Sequence, residues 1–138
     1  LKVSIGYFDS YIGEGEMSYG GAGAVERAQL AAGILRRRLE LRGSKPLEIR
    51  YDLIGIDSLH GTWISQGKGQ PYEVRLRVAG RFCTKEEAEI IGDEVETLYT
   101  NGPAAGGGAK KSVREVLAVI STLVPRSKVQ TKVLLKEA

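Results

Sequence analysis

Two hydrophobic periodicities alternate along this chain, and their order limits the folds that it can adopt. Apolar residues recur at every second position in 2–8, 47–53 and 74–82, which is the pattern of half-buried strands. They recur at steps of three and four in 24–42 and 85–98, which is the pattern of amphipathic helices. The chain therefore predicts the order strand, helix, strand, strand, helix.

The segment 113–124 fits either a helix or a strand. Its apolar residues have helical spacing, but half of its residues are β-branched: Val113, Val116, Val119, Ile120, Thr122 and Val124. We predict a strand, and a shorter alternating run at 129–135 predicts an extra edge strand. The expected fold is α+β, a ferredoxin-like βαββαβ sandwich with two helices on one face of a mostly antiparallel sheet.

One face of the predicted sheet has no helix assigned to it. If Val74 and Leu76 point toward the helices, Arg75, Arg77 and Arg81 line the opposite face. Sheets that bind RNA need aromatic side chains to stack bases, and the sequence has none at these positions. We therefore predict that the three arginines contact another domain or subunit rather than nucleic acid.

The composition indicates one soluble domain and excludes several kinds of site. The 138 residues suffice for a single core, and 20 basic against 17 acidic residues give a net charge of only +3. One cysteine and one histidine provide neither a disulfide nor a His/Cys zinc site, so we predict no metal and no cofactor. No apolar run approaches the ~18 residues of a membrane span, and a cytoplasmic location is expected.

A glycine-rich segment, 99–112, separates the second helix from the β-branched run. We predict a loop here, because glycine is costly to order and proline lacks a backbone donor. The free amides and nearby cations would form an anion cradle, with these ligands: Asn101, Gly106, Gly107, Gly108, Lys110 and Lys111. The segment does not match a phosphate-binding P-loop, because position 108 is glycine where that motif requires lysine.

A second glycine-rich segment, 12–23, follows the first predicted strand and is also expected to be a bend. It contains two acids, Glu14 and Glu16, separated by a glycine. Paired carboxylates in such a segment suit general acid and base catalysis or the binding of a divalent cation. We predict the acid and base roles for them.

Three segments, 12–19, 98–108 and 121–126, resemble the C-terminal part of the acyclic terpene utilisation protein AtuA family. The resemblance implies a fragment of a longer protein, whose N-terminal region would be a partner of this domain. It also implies a role in the breakdown of citronellol- and geraniol-type compounds through acyl-CoA thioesters, but it assigns no catalytic residues. We expect this domain to help bind an anionic acyl-CoA substrate. The alternative is a non-catalytic assembly domain that forms homo-oligomers through its helix-free face.

Overall fold

A computed structural model describes residues 1–65 and 71–136 of this α+β chain. Its elements follow in this order: β1 Lys2–Gly20, α1 Ala24–Leu41, β2 Glu48–Ile54, α2 Thr62–Ser65, β3 Glu73–Phe82, α3 Lys85–Glu96, α4 Leu98–Asn101 and β4 Gly106–Leu123. A single 3-10 turn, Arg126–Lys128, follows β4.

The four strands form one antiparallel sheet in the order β2-β3-β1-β4. Strand β1 pairs with β3 from Tyr11 to Gly20 and with β4 along nearly its whole length. Residues 113–123 belong to β4, so the strand that the β-branched residues favoured is confirmed against the helical alternative.

The hydrophobic core lies between one face of this sheet and the two long helices, α1 and α3. Strand β3 alternates as predicted, with its even-numbered residues buried and its arginines partly exposed. Helix α1 contributes small residues, which allow a close approach to the sheet, and α3 contributes larger ones. The buried cluster includes Met17, Tyr19, Ala28, Ala31, Leu35, Leu76, Phe82, Ile91 and Val95.

Helix α3 begins directly after β3, and Thr84 is its N-cap residue. The backbone N–H of Glu87 donates to the Thr84 hydroxyl at 3.3 Å, and that hydroxyl donates to the Glu87 carboxylate at 3.2 Å. This cap satisfies an N–H group of the first turn and marks the residue at which α3 begins.

The prediction of a bend at 12–23 is wrong for the residues up to Gly20, because these residues continue strand β1. The glycines were the misleading signal, and they are needed for close packing of α3 rather than for a turn. A Cβ atom on Gly13 would lie 1.8 Å from the backbone oxygen of Ala88, and one on Gly15 would lie 2.6 Å from Cγ2 of Val95. Helix α3 thus lies directly on the backbone of β1.

Three further expectations are corrected. Residues 106–112 belong to β4 rather than to a loop, since they pair with β1. Residues 129–136 form no strand, because the chain leaves the sheet at Pro125, which lacks the N–H that a ladder needs. Residues 2–8 form a strand but are exposed rather than half-buried, because β3 does not pair with this end of β1.

Candidate functional site

The candidate site lies on the sheet face opposite α1 and α3, which we call the charged face. It is formed by side chains of β1, β2 and β3 that alternate with the buried ones. The register places Arg75 opposite Ser18, and Arg77 between Glu16 of β1 and Asp52 of β2. The predicted placement of the arginines on this face is confirmed.

The arginines of β3 bind the acids of the neighbouring strands diagonally across the sheet. Arg75 donates from Nε to Glu16 at 2.5 Å, from Nη1 to Ser18 at 2.9 Å and from Nη2 to the Gly108 carbonyl at 3.1 Å. Arg77 donates to Glu14 from Nε at 2.9 Å and from Nη2.

The network extends to both ends of the charged face. Arg77 also donates from Nη1 to Asp52 at 3.0 Å, and Arg50 donates to the other oxygen of Asp52 at 3.0 Å. Arg81 donates to Asp9 at 3.0 Å. The hydrogen bonds to Glu14 and Asp52 raise the pKa of Arg77 above its usual range, against the opposing effect of burial. Each acid of the network is therefore held by at least one guanidinium group.

Beside this network lies an open cavity of about 350 Å³, which we call the site cavity. It is lined by Glu14, Glu16, Lys110, Lys111 and Ser112. The antiparallel register accounts for this composition, since Glu16 lies opposite Lys110 and Glu14 lies opposite Ser112. The predicted acids and the predicted lysines thus come together from β1 and β4.

The two lysines nevertheless point in different directions. Lys111 lies against α3, where its ammonium group donates to Asp93 at 3.1 Å and to Glu96 at 2.6 Å. These contacts raise the pKa of Lys111. Because side chains alternate along a strand, Lys110 extends from the charged face instead. No ion pair between described residues involves Lys110.

The other predicted anion ligands lie away from the site cavity. Asn101 ends α4 and is exposed. Gly106 is opposite Tyr19, on the core side, and a Cβ atom there would lie 2.7 Å from the Met17 sulfur. Gly107 is paired opposite Ser18, and the carbonyl of Gly108 accepts from Arg75. The glycines thus support the sheet and the network rather than a loop of free amides.

Ser112 and Arg114 also lie on this face, although neither is among the predicted anion ligands. Arg114 helps to line a second, smaller depression of about 170 Å³ next to the site cavity, together with Arg50, Arg77 and Arg81. Alternation is the signal that could have identified them. Lys110, Ser112 and Arg114 stand at every second position and so share one face of β4.

Two searches of the described residues gave negative results. Within 1–65 and 71–136, no three His, Cys, Asp or Glu side chains are grouped so that they could hold a metal ion. None of the helices in these ranges combines the length and the apolar character needed to cross a membrane.

Comparison with known proteins gives a family and two distant structural likenesses. No curated protein matches the chain. Two de novo designed proteins are similar in structure. "De novo designed protein Foldit4" has 12% identity and a TM-score of 0.47, covering 85% of this chain and 100% of its own. "De novo designed protein Ferredog-Diesel" has 22% identity and a TM-score of 0.44, covering 78% of this chain and 88% of its own. A family model described as "Acyclic terpene utilisation family protein AtuA" matches residues 1–135, and the chain therefore belongs to the AtuA family.

Proposed function

We propose that this chain is a ferredoxin-like domain that takes part in acyclic terpene utilisation and binds an anionic substrate, an acyl-CoA thioester, on its charged face. Family membership supports the role in terpene utilisation. The site cavity carries the proposal of a binding site, because it combines two acids of β1 with Lys110 of β4 in about 350 Å³.

The charge balance of this face favours an anion as the ligand. Glu14, Glu16 and Asp52 are each paired with an arginine. The pairs neutralise these three acids, so that Lys110 determines the charge that a ligand meets in the site cavity. Lys110 and Arg114 extend from the same face of β4, and the strand rise separates them by ~13 Å. Among described residues, neither takes part in an ion pair.

Within this proposal, Lys110 binds the anion and the acids have a different task. Glu14 is held by Arg77 and Glu16 by Arg75, and both carboxylates line the site cavity, so they are the candidates for the acid and base roles. The arginines also fix the positions of the carboxylates on a rigid sheet.

The two adjacent lysines provide a matched test. Calorimetric titration of the chain with a short branched acyl-CoA should give an affinity that falls tenfold or more for Lys110→Ala, since a charge-assisted hydrogen bond contributes ~1.5–3 kcal/mol. Lys111→Ala removes the same charge from the neighbouring position but should change the affinity by less than about twofold, because its ammonium group is bound to Asp93 and Glu96. Equal effects of the two substitutions would refute this assignment.

The second candidate function, a non-catalytic assembly domain, rests on a different observation. The arginines predicted to contact a partner, Arg75, Arg77 and Arg81, already bind acids of this chain. The exposed apolar residues at one end of the sheet are a more suitable contact surface. If the domain serves only assembly, acyl-CoA should cause no heat of binding in the calorimetric titration.

A further inference from the structure

The smaller depression of the charged face, next to the site cavity, is lined mainly by guanidinium groups. We call it the arginine depression, and its charged lining residues are Arg50 and Glu48 of β2, Arg77 and Arg81 of β3, and Arg114 of β4. Its volume of about 170 Å³ is below the ~300 Å³ at which pockets for whole small ligands begin. The arginine depression therefore suits one charged group of a larger ligand.

The sheet register explains why these side chains surround a hollow. Ala79 lies between two arginines on the charged face of β3, and its small side chain leaves the space between them open. Arg50 of β2 is paired opposite Ala79. Arg114 of β4 is opposite Ile12, and Ile12 is in turn opposite Arg81. The guanidinium groups thus line the hollow from three strands.

Acids that do not line the arginine depression hold three of its four arginines. Arg50 and Arg77 both donate to Asp52, and Arg81 donates to Asp9. A guanidinium group has five N–H groups, so these contacts leave donors that a ligand can engage. The acids therefore position the arginines without occupying the hollow.

Two groups of the arginine depression have no partner within the described ranges. The Nε atom of Arg81 is buried and has no hydrogen-bond acceptor there. Arg114 is exposed and forms no ion pair with a described residue. Guanidinium groups that the chain does not satisfy gain hydrogen bonds when an oxyanion enters the depression.

We propose that the arginine depression binds a phosphate monoester. Such a group carries a charge of about −1.5 to −2 at neutral pH and three acceptor oxygens, which guanidinium groups bind in pairs. Four guanidinium groups against one carboxylate in the lining favour this dianion over a singly charged phosphodiester or carboxylate. Its assignment to a substrate rests on the proposed function, because an acyl-CoA carries one such group, the 3′-phosphate of its ribose.

The site cavity and the arginine depression would then bind two parts of one ligand. Lys110 and Arg114 are four residues apart on β4, ~13 Å by the strand rise, so a single phosphate group cannot contact both. The phosphate monoester would contribute to affinity, while the group bound beside Lys110 lies closer to Glu14 and Glu16.

The test compares CoA with dephospho-CoA, which lacks only the 3′-phosphate, in calorimetric titrations of the chain. We expect CoA to bind at least ~10-fold more tightly, because its phosphate accepts several charge-assisted hydrogen bonds. Arg114→Gln should reduce this preference at least about threefold, and it breaks no ion pair described for the chain. The matched control, Arg37→Gln on α1, removes the same charge from the other side of the sheet and should keep the preference.

A second variant, Ala79→Ile, fills the hollow without changing any charge. Isoleucine suits a strand, so the fold should be kept, as circular dichroism can verify. The preference for CoA should fall in this variant too, because the phosphate no longer fits between the arginines. Equal affinities of the wild-type chain for the two compounds would overturn the proposal, and so would a preference that survives both substitutions.

Adenosine 3′,5′-bisphosphate, which has no thioester, separates this proposal from the proposed function. In an amide NMR titration it should shift Ile12, Ala79 and Arg114, and inorganic phosphate should shift the same residues at higher concentration. The absence of these shifts would overturn the phosphate site. Shifts without any heat of acyl-CoA binding would support the phosphate site and refute the proposed function. Acyl-CoA binding that depends on Lys110 but not on the 3′-phosphate would do the reverse.

Discussion

Gly13→Ala tests how α3 lies on the sheet. The new methyl carbon would lie 1.8 Å from the Ala88 backbone oxygen, whereas ordinary contacts begin at 3.4 Å. Relief requires α3 to withdraw by roughly 1.5 Å, which would loosen its packing, because backbone cannot move aside as a side chain can. We expect a loss of ~3 kcal/mol in the free energy of unfolding, at the upper end of overpacking effects, and a fall in Tm of ~12 °C.

The matched control for this substitution is Gly6→Ala in the same strand. A Cβ atom on Gly6 would meet no heavy atom within 4 Å. Alanine there should leave stability unchanged or raise it by ~0.5 kcal/mol, since glycine in a strand is entropically costly. Urea unfolding followed by circular dichroism measures both variants. A Gly13→Ala protein as stable as Gly6→Ala, with an unchanged m-value, would refute the close approach of α3 to β1.

Two further predictions concern ion pairs and alkaline pH. Glu94 is buried and binds Arg38 of α1 and Arg42 at the C-cap of that helix, whereas Glu40 forms an exposed pair with Arg37. Urea unfolding should therefore show a larger loss of stability for Glu94→Gln than for Glu40→Gln, and equal losses would contradict this account. Burial raises the pKa of Tyr19 and Tyr51 above 10.0, and contacts with acids raise that of Lys111 above 10.5. A group whose pKa is higher in the folded than in the unfolded state contributes its full stabilisation of the fold below the unfolded pKa. This contribution is lost as the pH rises through the folded pKa. Stability measured from about pH 8 to about pH 11 should therefore fall above pH ~10, less steeply for Tyr19→Phe, and a flat profile would be inconsistent with these shifts.

Helices α1 and α3 and strand β3 could be predicted from the sequence, because each carries its own periodic signal. The second half of β1 could not, because two of its core-facing positions are glycine and present no apolar side chain. Alternation was nevertheless present on the other face, where Glu14, Glu16 and Ser18 stand at every second position. Glycines that allow a helix to approach a sheet closely look, in sequence, like glycines of a loop.

The contents of the site cavity were predicted in part, and its geometry was not. Glu14, Glu16 and Lys110 were chosen as loop residues, yet strand pairing between β1 and β4 is what brings them together. The separation of Lys110 from Lys111 follows from strand alternation, which a predicted loop cannot provide. The ion pairs of Arg75 and Arg77 depend on a cross-strand register that no local pattern specifies.

The most direct test of the central claim, that the charged face binds an anion, is an amide NMR titration of the chain with a short branched acyl-CoA. The account predicts that the shifts concentrate on the strands that line the site cavity, at Glu14, Glu16, Lys110 and Ser112, while α1 on the opposite face stays unchanged. A spectrum that does not change at saturating ligand, or shifts confined to α1, would contradict it.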